Sequence, residues 1–367
     1  MSRSRRIALL ALLALAAPVA RVRAQGGVLL QGLLDVETWS TDSASSLLVR
    51  NAGKPGAVAR LDLWTALQPA RNFVIFGAMQ AEGGNARAEA AKFELYFDHY
   101  GVRWSPSPLL VVDAGKMPYP LGAFAARRFS NRNPLIGVPD GYPLQYPFGL
   151  QVAGQGHHLD WRAAVVSLPV FHEGYAPDPT PRARPVVGGG WTPVTGLRFG
   201  LSYTQGSYLN HMLLDSQLAG RAWSDYSQKV LAGEFLFEHG YSETRAEIGH
   251  VRNQVPFNPD VTGLNWYVES RYAFGPRVFG AVRVERNDYP FIAAFGGPAW
   301  VGRQTDFVNG EVGGGYRFTS ATLVKLSVRA DRWWLQPDQR AFLLPGGYAL
   351  AMQLSHSFDA MDWVAKP

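Results

Sequence analysis

The sequence predicts an all-β protein, a transmembrane antiparallel up-and-down β-barrel of about 16 strands. Three observations carry the prediction. Apolar and polar residues alternate with period two in segments spread from residue 28 to residue 358. Tight turns alternate strictly with long connections. Past residue 24, no apolar run approaches the roughly 18 residues that a membrane-spanning helix needs.

The alternation is clearest in Leu264 to Phe274, where Leu264, Trp266, Val268, Tyr272 and Phe274 share one face and Asn265, Tyr267, Glu269 and Arg271 the other. Thr322, Val324, Leu326 and Val328 oppose Lys325, Ser327, Arg329 and Asp331. Phe93, Leu95 and Phe97 oppose Lys92, Glu94, Tyr96 and Asp98, and Leu197, Phe199, Leu201 and Tyr203 oppose Arg198, Ser202 and Thr204. The pattern places strands at about 28–39, 57–67, 72–82, 90–104, 109–116, 147–155, 158–169, 185–192, 196–207, 226–239, 242–253, 263–274, 277–287, 305–318, 321–333 and 347–358.

A soluble sandwich alternates too, with a dry core and a wet outside, so period alone does not choose between it and a wet lumen with a lipid-facing wall. The connections choose. Ser105–Pro108, Gly156–His157, Pro193–Thr195, Gly240–Tyr241, Gly275–Pro276 and Thr319–Ser320 are tight, whereas 40–56, 117–146, 170–184, 208–225, 254–262, 288–304 and 334–346 are long. A sandwich has no reason to keep that order. Aromatic residues near strand ends (Trp39, Trp104, Trp161, Trp191, Trp266, Tyr272, Phe274, Tyr316, Phe318, Phe358) suit girdles at the two membrane interfaces, though strands favour aromatics in any case.

The first residues set the compartment. Arg3, Arg5 and Arg6 precede the apolar run Ile7–Ala17, and Ala24 closes the segment, so residues 1–24 read as a cleaved secretory signal peptide. Residues 25–358 then form the barrel and 359–367 a tail after Phe358. The whole chain carries 35 basic and 29 acidic residues, but five of the basic ones leave with the signal, so the remainder is 30 − 29 = +1. A general attraction to nucleic acid loses its support. With no cysteine, disulfides and thiolate metal sites are excluded, and a mean hydropathy of -0.08 with 17% charged residues fits neither a disordered chain nor a helical membrane protein.

The segment VVDAGKMPYPLGAFAARRFSNRNPLIGVP, Val111 to Pro139, resembles the strand, Gly-Lys and Pro-rich loop entry of the phosphate-selective porin O/P superfamily. The resemblance implies a 16-stranded barrel, a homotrimer, a third loop folded inward and basic residues along an anion path. Leu121 stands before Gly122 where the family has Phe, and no long Arg/Lys ladder is present, so phosphate selectivity does not follow from it.

The residues themselves point to the same loop. The stretch 117–146 is the longest connection, rich in Pro (Pro118, Pro120, Pro134, Pro139, Pro143) and in apolar residues that would be awkward above a membrane. Folding into the lumen reconciles both features. Arg127, Arg128 and Arg132 face only Asp140 within it, and Lys116 stands at its mouth. These four are the expected pore constriction and anion path. The competing reading has the arginines paired to wall carboxylates such as Glu94, Asp98, Glu234 or Glu269, pinning the loop.

The expected function is a porin-type outer-membrane channel for passive diffusion of small hydrophilic or anionic solutes, with outer-membrane lipids and the barrel-assembly machinery as partners, no nucleic acid and no cofactor. A barrel hydrolase and a secreted soluble all-β binding protein are the alternatives. Neither HExxH nor GxSxG occurs, the eight histidines are scattered, and the runs Gly188–Gly190 and Gly313–Gly315 lie in strands with no helix after them, so they read as places of close backbone approach and not as phosphate loops.

Overall fold

A computed structural model describes residues 27–42, 55–85, 93–123, 127–139, 145–171, 179–294, 300–334 and 346–359. The strands are β1 (Val28–Thr41), β2 (Gly56–Ala70), β3 (Phe73–Gly84), β4 (Glu94–Ser107), β5 (Leu110–Lys116), β6 (Phe148–Gly156), β7 (Leu159–Val166), β8 (Arg184–Val194), β9 (Leu197–Ser207), β10 (Ser227–His239), β11 (Ser242–Asn253), β12 (Val261–Ala273), β13 (Val278–Ala294), β14 (Trp300–Arg317), β15 (Thr322–Trp334) and β16 (Gly346–Asp359). Each pairs with its sequence neighbours, and β16 closes on β1 from Gln31↔Asp359 to Thr41↔Ala349, giving a closed antiparallel barrel. The expected signal peptide lies outside the described residues, as does the expected tail apart from Asp359, which ends β16.

Burial runs opposite to that of a soluble sandwich. Lys325 is 1% exposed while its neighbours Leu326 and Val328 are 55% and 45% exposed. Asp35, Glu37, Glu269, Arg283 and Glu311 are buried as well, and Leu34, Val36, Val268, Val282 and Val312 face outward. Polar side chains fill the inside and apolar ones cover the outside, the arrangement that a bilayer selects. Tyr272–Phe274 and Tyr316–Phe318 make edge contacts at the turn end of the outer wall, with ring centroids 5.1 and 4.9 Å apart. Trp39 departs from the expected girdle. It stands on the inward face with Asp35 and Glu37, and its indole N–H donates to Glu37 at 3.2 Å.

One expected loop is a hairpin. The sequence shows no clean alternation between residues 288 and 304, yet β13 and β14 stay paired from Asp288↔Asp306 to Ala294↔Trp300. The backbone ladder continues there because backbone pairing needs no side-chain alternation once a hairpin projects beyond the membrane. In the opposite sense, β4 begins at Glu94, later than expected, and carries a bulge at Asp98, since Ala78 pairs with His99 and Met79 with Phe97. Asp98 is buried on the inward face with Tyr96, and the extra residue shifts the parity beyond it, so that Arg103 also faces the lumen.

Two substitutions distinguish the faces. Leu326→Arg should impair insertion by roughly 2–4 kcal/mol, as expected for Arg on a lipid-facing strand near the midplane. Gln151→Arg, on the inner face opposite Asp113, should be tolerated. Refolding into vesicles followed by heat-modifiable gel migration checks both, and the reverse order of damage would require a dry interior.

Candidate functional site: the lumen and its inward loop

The third long loop leaves β5 at Lys116 and stays paired to its own return limb, with Met117 N–H donating to Pro147 O and Tyr119 N–H to Gln145 O, both at 3.0 Å. At Gly122 the chain takes φ +72°, a left-handed conformation that glycine adopts without strain. From there it crosses the lumen and touches wall after wall. Ala123 N–H donates to Glu247 of β11 at 3.1 Å, Ser130 Oγ to Asp35 of β1, Asn131 Nδ2 to Ser357 of β16 at 3.3 Å, and Gly137 N–H to Glu311 of β14 at 3.0 Å. Phe129 packs edge-on against Trp64 of β2, 4.8 Å between centroids.

Lys325 of β15 holds the loop from below. Its Nζ donates to the carbonyls of Ser130, Asn133 and Leu135 at 2.9, 3.0 and 2.9 Å. Three donors meet three acceptors, so the ammonium is fully satisfied although buried. Asn133 tightens the same turn, donating to Gly137 O at 2.8 Å. The glycine run in β14 serves this docking, because a β-carbon at Gly313 would stand 3.1 Å from Leu135 Cδ2 and 2.8 Å from Ser327 Cβ.

Two of the arginines expected to line an anion path, Arg127 and Arg128, sit inside the barrel but are compensated. Arg127 Nη2 lies 2.6 Å from Glu269 Oε1 and 3.4 Å from Glu243 Oε1. Arg128 pairs with Asp98 and stacks over the Phe129 and Tyr146 rings at 4.7 and 4.9 Å. Burial pushes the Tyr146 phenol up, so the ring stays neutral under the guanidinium. Arg132 is exposed on the loop. Lys116 is not brought to them. It shares register with Tyr100 and Phe148, both of which face outward, and its Nζ donates to Phe97 O at 2.7 Å. The parity of β5 decides this, since Asp113 points inward and a residue three positions on points outward.

The turn-side half of the lumen holds a cavity of about 840 Å³, roofed by Met117 to Ala123 of the loop. The arginines of its lining pair with carboxylates. Arg103 forms a two-point contact with Asp113 at 2.7 and 2.9 Å. Arg198 does the same with Asp160 at 2.8 and 2.9 Å and reaches Glu234 at 2.7 Å. Arg162 pairs with Glu234 and donates to Ser202 Oγ at 2.6 Å. The second glycine run explains how these guanidinium groups lie flat on the wall, because a β-carbon at Gly190 would collide with Arg198 and one at Gly188 would stand 2.9 Å from Arg162 Nε.

The loop-side half is drier than alternation suggests. Val166, Val186, Val230 and Val251 all face inward and pack with Tyr119, Leu121 and Val170. No sequence signal separates these valines from lipid-facing ones except their parity. Among the described residues no group of His, Asp or Glu is arranged to hold a metal ion.

Lys325→Met should release the loop while leaving the barrel closed, because three buried carbonyls lose their donor, weakening docking by on the order of 3 kcal/mol. Proteolysis of the folded protein reads this as faster cleavage within 117–147 with unchanged heat-modifiable migration. Unchanged cleavage would mean that the wall contacts of Arg127 and Arg128 suffice.

No protein-family profile matches the chain, and no curated protein matches it in sequence. Solved structures do match in shape. The anion-selective porin from Comamonas acidovorans superposes with a TM-score of 0.62 at 10% identity, covering 91% of this chain and 100% of that one. OmpF of Salmonella typhi, solved with daunomycin, gives 0.61 at 12% identity over 90% and 97%. The trimer form of OmpT, an outer membrane protein of Vibrio cholerae, gives 0.56 at 11% over 91% and 99%. At these identities the likeness establishes the fold, and the chain has the closed 16-stranded barrel of outer-membrane porins.

Proposed function

We propose that the protein is an outer-membrane channel for passive diffusion of small hydrophilic solutes. The observation that carries this reading is the loop pinned across the lumen above a charged cavity of about 840 Å³. A constriction needs a fixed obstacle, and contacts to β1, β4, β11, β12, β14, β15 and β16 supply one. The paired charges around the cavity favour water and polar solutes of either sign, so Arg127 and Arg128 act as pins and confer little anion preference.

Lipid against the apolar outer face and a leader for export are part of the same proposal. A homotrimer is supported by the low wall: β5 and β7 have 7 and 8 residues, short of the roughly 9–11 that a tilted strand needs to cross a bilayer. A neighbouring subunit over that wall would remove the mismatch. The hydrolase alternative finds no support in the hydroxyl contacts of the described histidines: His211 and His356 meet Thr180 and Thr322 at 2.6 and 2.9 Å, and neither is held by a carboxylate.

Planar-bilayer recording under a salt gradient tests the proposal. The expected result is stepwise conductance with a reversal potential near zero. Replacing Arg127, Arg128 and Arg132 together by Gln should loosen the loop, seen as noisier steps and faster proteolysis, with only a small shift of reversal potential. Deleting 123–138 should raise the conductance. A protein that inserts but never conducts, even without the loop, would rule out the channel.

A further inference from the structure

Among the described residues, the buried arginines Arg127, Arg283 and Arg329 each lie within ion-pair distance of a carboxylate. Arg184 of β8 is 1% exposed, and no carboxylate of the described residues forms an ion pair with it. Its Nε donates to Thr204 Oγ1 at 3.2 Å and its Nη2 to Gln228 O at 3.0 Å, while Nη1 is buried without a partner. The stem crosses β9 over Gly206, where a β-carbon would stand 2.6 Å from Arg184 Cβ and 3.3 Å from Nε, so the backbone is shaped to admit the side chain. Beside it lies Tyr119, 3% exposed, whose hydroxyl sits near Thr204 but is buried without a hydrogen bond of normal geometry.

A guanidinium keeps its charge under all ordinary conditions, so burial cannot neutralise it. An uncompensated buried charge is costly, by several kcal/mol. Elsewhere in this lumen the chain meets that cost with a carboxylate, as Arg283 does between Glu269 and Glu311 at 3.1 and 2.6 Å. At Arg184 the neighbours are Val166, its pairing partner, with Val170 and Val186. Two donors thus remain in dry surroundings, a guanidinium N–H and a phenol O–H. Burial pushes the Tyr119 phenol up, which keeps it protonated and able to donate.

We propose that Arg184 and Tyr119 bind a small monovalent anion, chloride being the form to test, which acts as the counterion that locks the neck of the third loop to β8 and β9. Two donors cannot replace the hydration shell of a divalent anion such as sulfate or hydrogen phosphate, whereas a weakly hydrated monovalent ion loses less on entering an apolar recess. The site does not depend on the channel reading, since the ion is held against the wall and need not move through the lumen.

The test is chlorine-35 NMR line width on the full chain in detergent, with thermal unfolding in sodium chloride and in sodium gluconate at equal ionic strength. The wild type should broaden the chloride line, nitrate should compete, and sulfate should not. Tm should be higher in chloride, as linkage requires of an ion that binds only the folded state. Arg184→Met should abolish the excess broadening and the salt difference, and Arg184→Lys should keep part of both. Tyr119→Phe, which removes only a hydroxyl, should weaken binding several-fold and keeps the test open should Arg184→Met fail to close the barrel. Absence of broadening in the wild type, or broadening unchanged in Tyr119→Phe and Arg184→Met alike, would overturn the proposal.

Discussion

Closure of β16 on β1 is the constraint on which the rest depends. An open sheet of this length would leave two edges with unpaired N–H and C=O groups, each costing several kcal/mol in hydrocarbon. The ladder from Gln31↔Asp359 to Thr41↔Ala349 removes both edges. At the seam the ring of Phe358 covers Gly32, where any β-carbon would collide with it, so the last aromatic of the final strand also fills the outer face of the first. Once the circle is closed, parity along each strand assigns every side chain to lipid or lumen, and the lumen becomes a place where residues far apart in sequence must neutralise one another.

That neutralisation is the main theme of the interior. Arg127 meets Glu269 across 142 residues of chain, and Lys325 meets the loop carbonyls across 190 to 195. These contacts are individually weak evidence for stability, because buried ion pairs recover little more than their own desolvation cost. Their value is positional. Removing one partner strands the other, so a loop held by Glu247, Glu269, Asp98, Asp35, Lys325 and Glu311 has one place to be.

The two halves of the lumen differ in chemistry. On the turn side, guanidinium groups lie across glycine backbone and pair with carboxylates, leaving room for water. On the loop side, inward valines of β7, β8, β10 and β11 pack with Tyr119 and Leu121 and exclude it. The loop is thus fixed by hydrophobic packing at its neck and by polar contacts along its crossing. The same apolar packing surrounds Arg184, which is why its missing counter-charge stands out.

The sequence by itself determined the strand number, most strand boundaries, the alternation of turns and loops, and which loop enters the barrel. These follow from local rules: period two, turn-forming residues, and the conflict between a long Pro-rich apolar loop and water. It also contained both readings of Arg127 and Arg128 without ranking them. Only the tertiary structure shows which carboxylates these arginines meet, because the partners come from strands on other sides of the barrel and parity says which way a carboxylate points but not what stands opposite. The same limit hid Lys325 as the anchor of the loop, the inward valines, the paired extension of β13 and β14, and the bulge that brings Arg103 to the inner face. Lys116 was misplaced for a smaller reason: charge suggested the lumen, while register with Tyr100 and Phe148 put it on the outside.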